Sequence, residues 1–232
     1  MNKEDYAGRD NLEVMKEAVN YNKFLLDLVL SDSNKNEVVV DFGAGGGTFS
    51  MPAVNSGLNL ICIEPDLILS DHLRGNGLHV VNDIDQVGDN SIDYIYSLNV
   101  LEHIEDDYLI LEILFQKLKP GGKILIYVPA FNFLFTSMDK KVGHFRRYSR
   151  KSLANCFQSA GFEIKESSYV DSLGLFATLA YKIWDHGDGL INLRMLKLYD
   201  KYFFKISQYM DCLMGKFFGK NVYVKATKPL SN

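Results

Sequence analysis

Short apolar runs alternate with amphipathic segments along the first two thirds of the chain. Continuous apolar runs are typical of strands that are buried on both faces, whereas apolar positions three or four residues apart are typical of helices. Their regular alternation predicts an α/β fold built on a doubly wound, mostly parallel sheet. The predicted strands are residues 38–40, 60–63, 78–81, 92–97 and 123–128, and the predicted helices include residues 10–30, 106–118 and 149–160.

Two more strands are predicted near the C-terminus, at residues 162–168 and 221–227. The long segment between them is rich in Leu, Tyr and Phe at helical spacing, which predicts an inserted helical cap. We therefore expect a single domain. Its parts are an N-terminal helical segment at 1–36, a core of sheet and helices at 37–168 and 221–228, and the cap at 169–220.

Composition narrows the class of protein. A chain of 232 residues, 47% of them hydrophobic, suits one large α/β domain, and a net charge of -4 argues against a nucleic-acid partner. Cys62, Cys156 and Cys212 are widely spaced, which favours reduced thiols over disulfides or metal ligands. The charged N-terminus, with no uncharged apolar run longer than 172–181, predicts a cytoplasmic protein without a transmembrane helix.

The string VVVDFGAGGGTFS contains the first candidate site, where a buried strand turns sharply into a helix. Glycines at 43, 45 and 47 let the backbone approach a ligand closely. A dinucleotide fingerprint requires its third glycine at position 48, where this chain has Thr48. The spacing therefore favours an adenosylmethionine loop over a dinucleotide loop.

Glu64 ends the second strand, where a carboxylate can accept hydrogen bonds from both hydroxyls of a ribose, in NAD as well as in adenosylmethionine. The motifs DFGAGGG, IEPD, NDI, LNVLEHIEDD and LKPGGKILIYVPA follow one another over residues 37–130. This ordered set resembles the class I S-adenosylmethionine-dependent methyltransferases. The resemblance implies a Rossmann-like sheet of seven strands whose last strand is antiparallel, S-adenosylmethionine as methyl donor and S-adenosylhomocysteine as product.

The resemblance also assigns cofactor-binding residues, each at the carboxyl end of a predicted strand or on the N-terminal helix. They are Asp41, Gly43, Ala44 and Gly45 for the amino-acid end, Glu64 with Pro65 for the ribose, Asp83 and Ile84 for the adenine edge, Asn99 and Val100 for the methyl-donor pocket, and Tyr21 as an aromatic lid.

Candidate residues for the acceptor side follow the fourth and fifth strands. His144 is a candidate general base because histidine exchanges protons near neutral pH, and a structural or substrate-orienting role is its alternative. His103 is a second catalytic candidate, with helix capping as its alternative. Arg146 and Arg147 beside Tyr148 can bind a phosphate or carboxylate, or else form salt bridges at the next helix.

The segments PAFNFLFTSMDKKVGHFRRYSRKSL and GKNVYVKATKP are similar to bacterial and archaeal methyltransferases found with glycosyltransferases of surface-glycan and lipid-linked sugar pathways. This narrower resemblance implies a small or lipid-linked acceptor, such as a sugar or related metabolite. We expect an oxygen of the acceptor, with a nitrogen as the alternative, to displace the sulfur directly, a reaction that requires no metal ion. A NAD-dependent oxidoreductase and a non-catalytic scaffold for a glycosyltransferase remain the alternatives.

The cap segment carries an excess of positive charge, with six basic and two acidic residues between 190 and 220. A basic amphipathic cap can contact an anionic membrane surface, or it can simply cover the active site. The apolar positions that recur at helical spacing are Leu193, Leu196, Phe203, Ile206, Met210, Leu213 and Phe217.

Overall fold

A computed structural model describes residues 9–184, 187 and 189–230. Seven strands form one sheet in the order β3-β2-β1-β4-β5-β7-β6, in which β7 is antiparallel to both of its neighbours. The mostly parallel sheet with an antiparallel last strand confirms the prediction. The strands are β1 (Val38–Phe42), β2 (Asn59–Ile63), β3 (His79–Val81), β4 (Ile92–Leu98), β5 (Leu118–Pro129), β6 (Glu163–Val170) and β7 (Asn221–Thr227).

Helices cover both faces of this sheet, which is why the central strands are apolar at nearly every position. The helices are α1 (Arg9–Met15), α2 (Val19–Leu30), α3 (Ser50–Asn55), α4 (Leu67–Gly75), α5 (Asp107–Lys117), α6 (Ser137–Val142), α7 (Arg150–Ser159), α8 (Ser172–Ile183), α9 (Leu193–Leu198) and α10 (Phe204–Met214). Leu25, Ala53 and Leu73 bring α2, α3 and α4 to one face, and Leu111 with Phe157 brings α5 and α7 to the other.

The prediction of one helix over residues 10–30 is wrong, because the chain forms two helices there, α1 and α2. Ala18 is buried with φ -84° and ψ 71°, a conformation that ends the helical path. The Asn22 side-chain amide then donates to the carbonyl oxygens of Met15 (2.9 Å) and Lys16 (3.3 Å) at the end of α1. A local side-chain bond thus satisfies the helix end that periodicity alone does not reveal.

Helix α6 lies in the loop after β5, where the sequence predicted no regular structure. The Thr136 hydroxyl and the Asp139 carboxylate form a reciprocal capping box at its start, and Gly143 ends it in the left-handed region at φ 80°. Six residues are too few for the hydrophobic periodicity to be recognised.

The predicted cap is present between β6 and β7 as α8, α9 and α10, with a π-helical turn at Tyr199–Phe203 joining the last two. Its apolar stripe does not form its packed face: Phe203, Ile206 and Leu213 are exposed, while Asp200 and Phe204 are buried. Within the described ranges 9–184, 187 and 189–230, no helix has the length and apolarity needed to cross a bilayer.

Candidate active site

The glycine loop after β1 is built against the loop that follows β4. The amide groups of Gly43 and Ala44 donate to the carbonyl oxygen of Ile63, at 3.0 and 3.1 Å, and tie the loop to the end of β2. Gly43 has φ +84°, and a Cβ placed there would lie 2.3 Å from Cγ2 of Val100. Only glycine allows this approach, so the first and fourth strand ends meet at Gly43 and Val100.

Glu64 lies beside this loop, buried to 5% exposure. Its Oε2 accepts from the amide of Gly45 at 2.7 Å and its Oε1 from the amide of Asp66 at 2.9 Å, while burial raises the pKa of the carboxyl group. A carboxylate has about four lone-pair positions, so each oxygen can accept one more hydrogen bond. The geometry therefore fits the predicted contact with two ribose hydroxyls.

Asp41 at the end of β1 is also buried, and its Oδ2 accepts from the Ser50 hydroxyl at 2.5 Å and the Tyr96 hydroxyl at 2.9 Å. Burial raises the pKa of this carboxyl group to about 7, although both hydroxyl groups lower it. Asp41 therefore connects β1, β4 and the start of α3. Its predicted contact with the amino-acid end of the cofactor stays a prediction.

Tyr21 of α2 lies at the end of β4, as a lid residue would. Its ring packs edge-on against Tyr127, with centroids 6.3 Å apart, and its side chain interacts with that of Asn99. Asn99 adopts φ 57°, and its amide donates to the Tyr127 carbonyl oxygen at 2.8 Å. The structure thus brings together two residues predicted to bind the cofactor from distant parts of the sequence.

The residues predicted for the adenine edge begin a 3-10 turn after β3. Asp83 is exposed and accepts from the Asp85 amide at 3.0 Å, whereas Ile84 is buried in the apolar core. Pro65, predicted beside the ribose, directly follows Glu64 and is half-buried. All three lie at the same edge of the sheet as the glycine loop.

His144 lies on the acceptor side of this edge, held by Asp139. Its Nδ1 is 2.7 Å from Oδ1 of Asp139, and its Nε2 is 3.7 Å from Oε1 of Glu102. Arg147 donates two hydrogen bonds to the Asp139 carboxylate, from Nε to Oδ1 and from Nη2 to Oδ2, each at 2.8 Å. Burial alone would raise the pKa of Asp139, but hydrogen bonds from His144 and Arg147 outweigh burial and hold the pKa well below its usual range.

Glu102 faces His144 from the turn after β4 and is fully buried. Neither of its carboxylate oxygens accepts a hydrogen bond from another described residue, and burial raises its pKa to about 8. The ring of His103 lies 4.5 Å from that of His144, and burial lowers the pKa of His103 to about 4. His103 is thus a weak base, and the 3.7 Å between His144 Nε2 and Glu102 Oε1 is longer than a hydrogen bond.

The structure shows salt bridges for Arg146 and Arg147, which was the alternative to binding a phosphate or carboxylate. Tyr148 beside them forms a hydrogen bond. Arg147 is buried against Asp139, the Tyr148 hydroxyl donates to Asp107 Oδ2 at 2.8 Å, and Arg146 Nη1 is 3.0 Å from the same oxygen. These contacts connect the segment just before α7 to the start of α5 and to α6.

A profile of methyltransferase domains matches residues 15–167. The chain belongs to the class I S-adenosylmethionine-dependent methyltransferases. The matched region includes the glycine loop, Glu64, Asn99 and His144, and therefore most of the site described above.

Individual relatives are distant. The methyltransferase is 28% identical over 104 residues to a ubiquinone biosynthesis O-methyltransferase of Rhizobium etli, covering 40% of this chain and 41% of that protein. The chain therefore matches about two fifths of the length of that curated relative.

Solved structures show the same fold. One is the complex between the Haloferax volcanii Trm112 methyltransferase activator and a putative methyltransferase, with a TM-score of 0.65, 17% identity, and coverage of 98% of this chain and 96% of that chain. Another is Haemonchus contortus phosphoethanolamine N-methyltransferase 2 with phosphomonomethylethanolamine and S-adenosylhomocysteine, with a TM-score of 0.62, 18% identity, and coverage of 90% and 52%.

The methyltransferase also has a narrow cavity between its N-terminal helices and the cap, which the sequence did not predict. Asp171, Tyr199 and Lys220 line it together with Tyr21, and the Tyr199 hydroxyl donates to Asp171. Asp171 is buried and adopts φ 63°, an unusual conformation for a residue other than glycine. The cavity measures about 20 Å³, the space of a single water molecule.

Proposed function

We propose that this methyltransferase transfers the methyl group of S-adenosylmethionine to an oxygen of a sugar or related metabolite, free or carried on a lipid. The observation that carries this proposal is the arrangement of Asp139, His144 and Glu102 beside the end of β4, next to Asn99 and Val100. A hydroxyl acceptor must lose its proton as the new C–O bond forms, and this arrangement supplies an acceptor for that proton.

Asp139 determines which nitrogen of His144 is free. An ionised Asp139 favours the tautomer with the proton on Nδ1, since Nδ1 lies 2.7 Å from its Oδ1. Nε2 is then left as a hydrogen-bond acceptor toward Glu102 and the acceptor side of the site. We assign His144 Nε2 to receive the hydroxyl proton.

The bound cofactor supplies a methyl group already activated by the positive charge of its sulfur. The protein therefore contributes mainly alignment and exclusion of water. Tyr21 and Asn99 close the donor side, and the cap covers the acceptor side. No metal ion is needed for this chemistry, although Glu102, His103 and His144 offer ligand atoms within 4.8 Å of one another. Methyltransferase activity that is unchanged by EDTA would support a reaction without a metal ion.

The acceptor class rests on two supports. The first is the resemblance of residues 129–153 and 219–229 to methyltransferases of surface-glycan and lipid-linked sugar pathways. The second is a group of three polar side chains in the otherwise mostly apolar cavity, since Asp171, Tyr199 and Lys220 can bind hydroxyl groups. We place the reaction in the cytoplasm, in keeping with three free cysteines, and treat residues 1–232 as one catalytic domain.

The proposal is tested by replacing His144. We expect His144→Ala to lower turnover with a sugar acceptor by about 10²-fold or more while S-adenosylhomocysteine binds with unchanged affinity in calorimetry. His79→Ala, at the exposed start of β3, is the matched control and should change neither value. A large loss of cofactor affinity in His144→Ala would contradict the assignment. Binding of NAD instead of adenosyl ligands, or tight binding without methyl transfer to any sugar or lipid pool, would favour the oxidoreductase or the scaffold.

A further inference from the structure

The cap turns its apolar face outward. Along the π-helical turn and α10 the buried positions are Asp200, Phe204, Ser207 and the half-buried Asp211, spaced as one helical face. The other face is apolar and exposed, which reverses the usual arrangement for a helix on a protein surface. Its members include Tyr202, Phe203, Ile206, Tyr209, Leu213 and Phe217. Ile183 and Trp184 at the end of α8 are also exposed.

The acidic groups of the cap are used inside the protein. Asp200 accepts from the amides of Asn20 (3.0 Å) and Tyr21 (2.9 Å) at the start of α2. Asp211 accepts from the amides of Asp171 (2.8 Å) and Ser172 (2.9 Å) at the start of α8. Two helix N-termini therefore hold the only two acidic residues between 190 and 220, a range that is described throughout.

The exposed charged side chains in the same range are all basic. Arg194, Lys201, Lys205 and Lys216 are exposed, and Lys197 is exposed but paired with Glu17 at 2.7 Å. Between residues 190 and 220, large apolar side chains are flanked by cations and no acidic residue is exposed; the nearby exposed acids, Glu17 and Asp27, lie on the N-terminal helices and pair with Lys197 and Lys23. Such a surface complements the interface of an anionic bilayer, where aromatic rings and basic groups both have favourable positions.

We infer that the exposed apolar surface formed by residues 202–217, with its flanking basic groups, binds the interface of an anionic lipid bilayer. Exposed apolar surface on this scale is unusual in a protein that has no partner. The cap also lies over the cavity lined by Asp171, Tyr199 and Lys220, so docking would bring the acceptor side close to the membrane. The inference depends on the cap surface alone and not on His144 or the identity of the acceptor.

The test is co-sedimentation of the full chain with vesicles of phosphatidylcholine alone and of phosphatidylcholine mixed with phosphatidylglycerol. We expect binding mainly to the anionic vesicles, weakened by added salt. Ile206→Ser combined with Leu213→Ser should weaken binding by about tenfold or more, because both apolar contacts are lost. Leu67→Ser with Ile68→Ser on α4, at 60% and 59% exposure, is the matched control and should bind as the wild type does.

Charge is tested separately. Lys201→Glu with Lys205→Glu should abolish the preference for anionic vesicles, and S-adenosylhomocysteine affinity in every variant reports whether the fold is intact. Failure of the wild type to sediment with either vesicle overturns the inference. So does a dimer, seen by light scattering, that Ile206→Ser with Leu213→Ser dissociates, because the surface would then be a contact between two copies of the chain.

Discussion

Glu102, a single buried residue, makes the folding stability of the protein depend on pH. Burial raises its pKa from 4.5 to about 8, so the folded protein holds this proton more tightly than the unfolded chain does. The stability from the neutral group is fully present below the unfolded pKa of 4.5 and is lost as the pH rises through about 8.

Removal of this ionisable group should therefore make the protein more tolerant of high pH. As the pH rises from 5 to 9, we expect the free energy of unfolding of Glu102→Gln to increase relative to that of the wild type, by as much as a few kcal/mol. Urea unfolding at each pH measures the difference. Glu105→Gln, an exposed neighbour, serves as the control, and an equal pH dependence in both variants would contradict a buried neutral Glu102.

Gly43 allows a second prediction at the residue scale. A side chain added at this position would clash with Val100, and the effect of this clash can be separated from the strain of a positive φ by comparison with a second glycine. Gly77 has nearly the same φ, +80°, but an added Cβ there meets no atom within 4 Å. We expect Gly77→Ala to cost about 1 kcal/mol of unfolding free energy and Gly43→Ala distinctly more, with weaker S-adenosylhomocysteine binding. The double variant Gly43→Ala with Val100→Ala should recover part of the loss, and its failure to do so would show that Val100 is not the obstacle.

The sequence allowed some of these residues to be predicted and not others. The glycine loop and Glu64 follow strands that are recognisable by their apolar runs, so their positions at the sheet edge follow from the topology. The role of Asp139 could not be predicted, because His144 and Arg147 contact it only once α6 has formed. Glu102 could not be singled out from the sequence, because its burial depends on the segment around His144, which is distant in the chain.

At the scale of elements, Asp200 supplies a cap that α2 lacks in its own sequence. Ala18 occupies the N-cap position and has no side chain that could accept a hydrogen bond, while Asp200 accepts from the second and third amides of the helix. A carboxylate at this end also interacts favourably with the helix dipole. The cap and the helix that carries Tyr21 are therefore stabilised together.

Asp200→Ala should lower the free energy of unfolding by about 1–2 kcal/mol and speed the release of S-adenosylhomocysteine, because Tyr21 loses its anchor. Stopped-flow dissociation and urea unfolding measure the two effects. Asp27→Ala is a suitable control, since Asp27 pairs with Lys23 on the exposed side of the same helix and should contribute little. Equal effects of the two substitutions would show that Asp200 is only a surface charge.

The predicted element boundaries were wrong where specific side-chain hydrogen bonds, local or long-range, decide them. The break between α1 and α2 depends on Asn22, α6 on its capping box, and the outward face of the cap on Asp200 and Asp211. Hydrophobic periodicity predicted the cap helices but not their orientation, because periodicity shows that one face is apolar without showing what that face contacts.

At the scale of the whole molecule, the sheet and its order follow from the alternation of strands and helices, whereas access to the site does not. The cavity beneath the cap holds about one water molecule, but ligand pockets have volumes on the order of 300–1,000 Å³. The sugar acceptor proposed above can therefore enter this cavity only if the cap and the N-terminal helices move apart. Lys197 and Glu17, 2.7 Å apart and each about half exposed, lie across this boundary.

Locking that boundary should block turnover. Cysteines placed at both positions by Glu17→Cys and Lys197→Cys, in a Cys212→Ser background, can be joined by a short bismaleimide. We expect the cross-linked protein to lose at least about tenfold in turnover with a sugar acceptor, whereas the same protein treated with N-ethylmaleimide keeps its activity, because only the bridge prevents opening. Each single-cysteine variant treated with bismaleimide controls for modification at Cys156. Full activity after complete cross-linking would mean that the acceptor reaches His144 by a route that does not pass beneath the cap, and would redirect the search for the acceptor to the loop formed by residues 130–147.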